Sequence, residues 1–249
     1  MKSLVCFFFV LSTAFGFGQS TSPIENQFVC FHYNANWSAG DLSQRYGYMN
    51  NIGVSLNLKS KSGLTLGVES SFMFGNSFKS EFDSVFTHLI DSYGNITDIN
   101  GDIARVLVYS RGFYSNAVVG QLYRLHEKSN NHLWVQFGLG YLQHRFRIET
   151  NSQVVPQIEQ EYRKGYDRFT SGMNVSQFIG YALIPEDRYY NFFLGFYIQE
   201  GFTYNRRDIN FDQPNTPVSD ELRLDIQFGL RGGWLIPFYK AKPKDFYFE

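Results

Sequence analysis

The chain has 249 residues and a formal charge of −1, with 18% of its residues aromatic and only 18% charged. It carries no electrostatic footprint for nucleic acid, and it is too aromatic and too nearly neutral to remain disordered. A helical membrane protein is also excluded, because a spanning helix needs about 18 consecutive apolar residues and the only long apolar run is 4–17.

That run reads as a secretory signal over 1–18. Lys2 supplies the basic start, 4–17 the apolar stretch, and Gly16-Phe17-Gly18 a small-x-small cleavage site before Gln19. The mature chain is then 19–249. Cleavage removes Cys6 and leaves Cys30 alone, so neither a disulfide framework nor an N-terminal lipid anchor is expected.

From there the chain repeats one pattern, about ten residues of apolar and small-or-polar alternation ended by turn residues. Period two predicts strands. In the first, Val29, Phe31, Tyr33, Ala35 and Trp37 alternate with Cys30, His32, Asn34 and Asn36; in the second, Ile52, Val54, Leu56 and Leu58 alternate with Gly53, Ser55, Asn57 and Lys59. Leu64 to Phe74, Val135 to Leu142 and Phe192 to Gln199 follow suit. Two segments, 113–123 and 173–183, are poorly phased and are read as strands from their neighbours. The last is the clearest: Leu222, Leu224, Ile226, Phe228, Leu230, Trp234 and Ile236 share one face, and Arg223, Asp225, Gln227 and Arg231 the other. Its alternation outlasts the five or six residues of an average soluble strand.

Connections alternate in length. Those at 60–63, 126–131 and 185–188 are short; those at 38–50, 75–112, 146–172 and 204–220 are long. Tight turns at one end and extended loops at the other predict an all-β fold, a single eight-stranded antiparallel up-and-down transmembrane β-barrel with long extracellular loops and short periplasmic turns. Aromatic residues near the strand ends, among them Trp37, Tyr46, Tyr48, Phe72, Phe74, Tyr141, Tyr189, Tyr190, Trp234, Phe238 and Tyr239, suit the two headgroup levels.

The strings AGDLSQRYG (39–47), GVESSFMFGNSFK (67–79), YSRGFYSNAVVG (109–120), GLGYLQHRFRIE (138–149), KGYDRFTSG (164–172), QFIGYALI (177–184) and RGGWLIPFYKAKPKDFYF (231–248) resemble the small outer-membrane β-barrel proteins of the Bacteroidota. The resemblance spans nearly the whole mature chain. It implies an outer-membrane location and a barrel fold, and no chemistry.

Five features are candidate sites. Within 80–94, Phe82, Val85, Phe86, Leu89 and Ile90 recur at helical spacing, which predicts a short helix over 80–93 capped by Ser80 and ended by Gly94. Its stripe covers the barrel mouth, lies on the outer leaflet, or docks a partner, for which Phe82, Phe86 and Leu89 are the candidate contacts. Asp98, Asn100 and Asp102 faintly resemble a calcium loop, but Ile103 stands where the loop glycine belongs, so an Asx turn is expected. In the third loop, Tyr162, Arg163, Lys164, Tyr166, Arg168 and Phe169 interleave rings with cations. Such a patch suits lipid phosphates or an acidic partner; pairing with Glu159, Glu161 and Asp167 is the plainer reading. Glu69, Arg223, Asp225 and Arg231, with Lys59, point into the lumen and must pair there. The tail 240–249 places Lys240, Lys242 and Lys244 before Phe246, Tyr247 and Phe248, a basic and aromatic contact peptide or an inner-leaflet belt.

Ser84 and His88 lie one helical turn apart near Asp83 and Asp91, but no nucleophile elbow surrounds Ser84. The expected protein is therefore non-enzymatic, without cofactor, and structural or accessory in role, with a subunit of an outer-membrane secretion or assembly complex as its form. A lipid-modifying enzyme and a narrow pore are the alternatives. Expected partners are outer-membrane lipid and lipopolysaccharide and another envelope protein complex, with no nucleic acid.

Overall fold

The computed structural model describes residues 26–79, 82–126, 130–185 and 191–238. Eight long strands form the wall: β1 (Asn26–Gly40), β2 (Tyr48–Lys59), β3 (Leu64–Gly75), β6 (Leu107–Arg124), β7 (Asn131–Glu149), β8 (Thr170–Leu183), β9 (Phe192–Asn205) and β10 (Arg223–Phe238). The two-residue strands β4 (Ile96–Thr97) and β5 (Ile103–Ala104) pair with each other inside an outer loop. Each long strand is antiparallel to its neighbours in the chain, and β1 pairs with β10 from Gln27↔Phe238 to Gly40↔Asp225, which closes the ring. The signal segment and the tail, with Phe246, Tyr247 and Phe248, lie outside the described residues, as do Tyr189, Tyr190 and Tyr239.

Alternation sorts the side chains. Phe31, Tyr33, Val54, Leu56, Leu66, Val68, Phe137, Leu139, Leu194, Phe196, Phe228 and Leu230 are exposed on the outside, while Asn34, Ser55, Glu69, Asn116, Gln199, Gln227 and Arg231 are buried within. An exposed apolar belt around a closed polar interior is stable only where the belt meets lipid. The two poorly phased segments are strands too. Their phase is hidden because some inward residues, Tyr114, Val118, Leu122 and Phe178, are themselves apolar, so both faces read alike.

The strands run further than the sequence pattern suggests. β1 continues to Gly40 and β2 begins at Tyr48, so the first outer loop is only a 3₁₀ turn, Asp41–Gln44, and the residues around it. β6 starts at Leu107, and β7 reaches Glu149. Spanning a bilayer takes about 9–11 tilted residues, so these two strands, of 18 and 19 residues, project beyond the membrane and wall the outer loops.

The helix expected over 80–93 is much shorter. Among the described residues it covers Phe82–Phe86. After it the chain turns, and Asp91 Oδ1 accepts the backbone N–H of Tyr93 and Asn95, both at 2.8 Å, so Gly94 closes an Asx turn rather than a helix. Asp98 does the same for Asn100 and Asp102, at 2.9 and 3.0 Å, in the β4–β5 hairpin. Its carboxylate oxygen is thereby occupied by backbone N–H groups.

Candidate functional site: a filled lumen under a folded outer cap

An eight-stranded barrel is just wide enough for its own side chains. At the periplasmic end an aromatic cluster fills it. Trp134 packs edge-on against Phe193 at 5.1 Å, Phe178 at 5.5 Å and Phe28 at 6.0 Å, with Leu122, Ala182 and Leu235 around them. Gly180 and Gly195 face each other across β8 and β9, and a Cβ on Gly180 would lie 2.5 Å from the tip of the Phe178 ring, so its bare backbone leaves the cluster room. A Cβ on Gly195 would lie 2.3 Å from the Gly180 Cα.

The middle of the lumen is organised by Arg231. Its Nη1 donates to Glu69 Oε2, its Nε to Asn34 Oδ1 and its Nη2 to Tyr114 Oη, each at 2.9 Å, while the guanidinium lies 3.7 Å from the Tyr197 ring centroid. Asn116 Nδ2 donates to the other Glu69 oxygen at 3.0 Å. Arg231 and Glu69 are both 2% exposed. So full a set of partners is what a buried ion pair requires, since desolvating the two charges otherwise outweighs their attraction.

Nearer the outer mouth the structure brings Arg223 and Asp225 together at 3.3 Å, and the same carboxylate accepts from His144 Nε2 at 2.8 Å and from Thr203 Oγ1 at 2.5 Å. The first outer loop then seals the opening. Leu42 and Tyr46 are completely buried, so Tyr46 is not an interface ring but a plug, packed edge-on against His144 and Phe146 at 5.5 and 5.3 Å. Arg45 ties that loop across the mouth, donating to Thr170 Oγ1 at 2.7 Å, Asn205 Oδ1 at 2.9 Å and the Arg168 carbonyl at 3.1 Å. Burial, and then the nearby Arg223 charge, lower its pKa to about 10. In the sequence Arg45 and His144 carry no assigned role and Tyr46 that of an interface ring; the signal for His144 is its place on the same face of β7 as the buried Leu142.

Above the mouth, the outer loops (82–106, 150–169 and 206–222) fold together around a second core of Val85, Phe86, Ile96, Ala104, Ile148, Val155, Ile158 and Tyr166, with Leu89 and Phe211 against it. Two ion pairs clamp the third loop to the fourth. Arg207 makes a bidentate contact with Asp167 through Nε at 2.8 Å and Nη2 at 2.5 Å, and Arg168, at a positive φ of 50°, pairs with Asp212. The Asp167 hydrogen bonds hold the Arg207 pKa above its ordinary value.

This cap redistributes the expected contact residues. Phe86 and Tyr166 are interior, at 0% and 2% exposure. Arg168 is engaged by Asp212, and Arg163 Nε donates to the Ile158 carbonyl at 2.8 Å. The alternating cations and rings of the third loop therefore do not form one surface, because its 3₁₀ turns (Pro156–Ile158 and Gln160–Gly165) send successive side chains in different directions. Tyr162 remains exposed. Leu89 and Tyr162, with His88, Pro156, Gln157, Tyr166 and Phe211, line an open groove of about 360 Å³. The side chain of Phe82 lies outside what is described. His88 Nε2 and Tyr166 Oη are 2.6 Å apart with their rings stacked, so the structure couples His88 to a tyrosine rather than to Ser84. Burial, reinforced by Asp212, pushes the Tyr166 hydroxyl up to about 12.

A closed barrel with a lipid-facing belt, short turns at one end and a loop cap at the other is the architecture of an integral outer-membrane β-barrel. No family model matches the chain, and no curated protein matches its sequence. Among solved structures it is similar to Neisserial surface protein A, with 9% identity, TM-score 0.42, and coverage of 85% of this chain and 97% of that one. It is similar also to Ail, the attachment invasion locus protein of Yersinia pestis, with 10% identity, TM-score 0.40, and coverage of 86% and 100%. A major outer membrane protein from Thermus thermophilus has 9% identity, TM-score 0.40, and coverage of 84% and 99%. Likenesses this distant add nothing to the chemistry of the lumen and cap.

Proposed function

We propose that this protein is a non-enzymatic outer-membrane barrel with a structural or accessory role, working as a subunit of an outer-membrane secretion or assembly complex through its outer cap. The observation that carries this reading is the cap's own hydrophobic core. Loops that merely connect strands are solvated and mobile, whereas these are built into a body with a shape to present. The filled lumen supports the same reading, since the aromatic cluster, the Arg231 network and the Tyr46 plug occupy it at successive levels. A narrow pore finds no support in such an interior, and a lipid-modifying enzyme finds none in a His88 bonded to Tyr166.

Affinity purification of the tagged full-length protein from native outer membranes tests the role. A defined partner should be recovered in fixed ratio, and a charge placed in the groove, Leu89→Asp, should reduce its recovery. Recovery of no defined partner from membranes where the barrel is folded would overturn the reading.

A further inference from the structure

The outer wall changes character above the aromatic belt, and on one side only. On β6 the outward residues above Phe113 are Arg111 and Tyr109; on β7, above Tyr141, they are Gln143, Arg145 and Arg147. Arg111 and Arg145 are direct cross-strand partners, and Arg147 stands opposite Tyr109. Side chains so placed have Cβ atoms about 5 Å apart, where like charges repel. Among the described residues neither Arg111 nor Arg145 forms a salt bridge, and Arg147 has only Glu149, at 2.6 Å. Arg111 is held instead by the Ser110 carbonyl, to which its Nη1 donates at 2.9 Å, and by rings, its guanidinium lying 5.1 Å from the Tyr109 centroid and 6.0 Å from that of Phe72.

Arg206 extends the patch by one strand. It lies 5.9 Å over Tyr204 and donates from Nε to Ser171 Oγ at 2.9 Å, and Ser171 stands opposite Gln143. At the upper outward positions of β1, β2 and β10 the residues are Trp37, Tyr48 and Leu224, none of them charged. The cations are thus gathered on one sector rather than spread as a ring. In the lumen, by contrast, Arg231 and Arg223 each have a carboxylate.

We infer that Arg111, Arg145 and Arg147, with Arg206 at the edge, form a binding site on the barrel wall for the phosphate of an anionic lipid headgroup in the outer leaflet. Phosphate oxygens would bridge the two opposed guanidiniums and relieve their repulsion, and the planar fork of arginine fits them bidentately. The position selects a lipid as the source. The patch faces outward at headgroup height, directly above exposed apolar residues Phe113, Leu139 and Tyr141, along which acyl chains would lie. The inference rests on the outer-membrane placement, not on the partner proposed for the cap.

The test uses the folded full-length protein in detergent with phosphorylated lipid A, dephosphorylated lipid A and inorganic phosphate as probes, read by native mass spectrometry. The wild type should prefer the phosphorylated lipid by about tenfold or more. Arg111→Gln with Arg145→Gln should lose that preference, and Arg111→Lys with Arg145→Lys should keep part of it. A heat-induced gel shift on the same samples certifies that each variant is a closed barrel, which separates a failed site from a failed fold. Equal preference in wild type and the Gln variant overturns the site. Displacement of the lipid by equimolar inorganic phosphate overturns the lipid as source, and capture of an acidic protein without discrimination between the two lipids assigns the patch to a protein instead.

Discussion

Arg231 is the side chain on which the middle of the lumen depends. It sits in β10 and reaches Glu69 in β3, 162 residues away in sequence, through partners drawn also from β1 and β6. That both residues face inward is readable from period-two alternation; that they meet is not, because the register of four strands decides it. Arg231→Leu should leave Glu69 buried without its cation and cost about 3–5 kcal/mol, whereas pairing it with Glu69→Leu should restore most of the loss. Urea unfolding of the protein refolded into vesicles checks both, and a double variant as unstable as the single would contradict the pairing. Tyr166 makes a different residue-scale prediction. Its folded pKa of about 12 lies above the value of 10 for a free phenol, so its contribution to cap stability is whole below pH 10 and is lost as the pH rises from 10 through about 12. The difference in phenolate absorbance between the wild type and Tyr166→Phe should be that of one tyrosine titrating near pH 12, with the cap loosening over that window in the wild type.

At the scale of the element, the strands of the wall were legible because a bilayer outside and a polar lumen inside impose opposite demands on alternate residues. Legibility fails where that contrast fails. In β6 and β8 the inward Val118, Leu122 and Phe178 are as apolar as the outward residues, and at the tops of β6 and β7 the outward Arg111, Arg145 and Arg147 are as polar as any loop. The stripe at 82–90 forms less helix than its spacing predicts, for a related reason. Val85, Phe86, Leu89 and Ile90 do converge on one core, but through a single helical turn followed by tight turns, since Asp91 Oδ1 takes the Tyr93 and Asn95 N–H groups that a longer helix would direct to its own preceding carbonyls. The clamp between the third and fourth loops gives this scale its prediction. Asp167→Asn removes a bidentate charge-assisted contact worth about 1.5–3 kcal/mol, so protease cleavage within 206–222 should quicken severalfold while the heat-induced gel shift of the barrel is unchanged. Unchanged cleavage would mean that the apolar core alone fixes the fourth loop.

For the molecule as a whole, three zones follow one another along the barrel axis: an aromatic cluster, an ionic centre and a folded outer cap. The wall joins them to the membrane, and its midline should tolerate no charge. Phe196→Arg, at a position 67% exposed on the lipid face, should cost about 2–4 kcal/mol, falling toward zero for the same change near the ends of the strand. Equal costs at both depths would place the belt elsewhere. Planar-bilayer recordings of the wild type should show no steady conductance, because the Trp134 cluster and the Tyr46 plug close the lumen at both ends. The sequence alone determined the eight strands of the wall, the inward and outward faces of all but β6 and β8, and the three short turns and three of the four long loops, since each is set by local alternation and turn chemistry. The tertiary structure alone decided which lumen charges meet, that the outer loops share a core, and that three arginines converge on one sector of the wall. Those features depend on the register in which distant strands pair, and no local pattern encodes it.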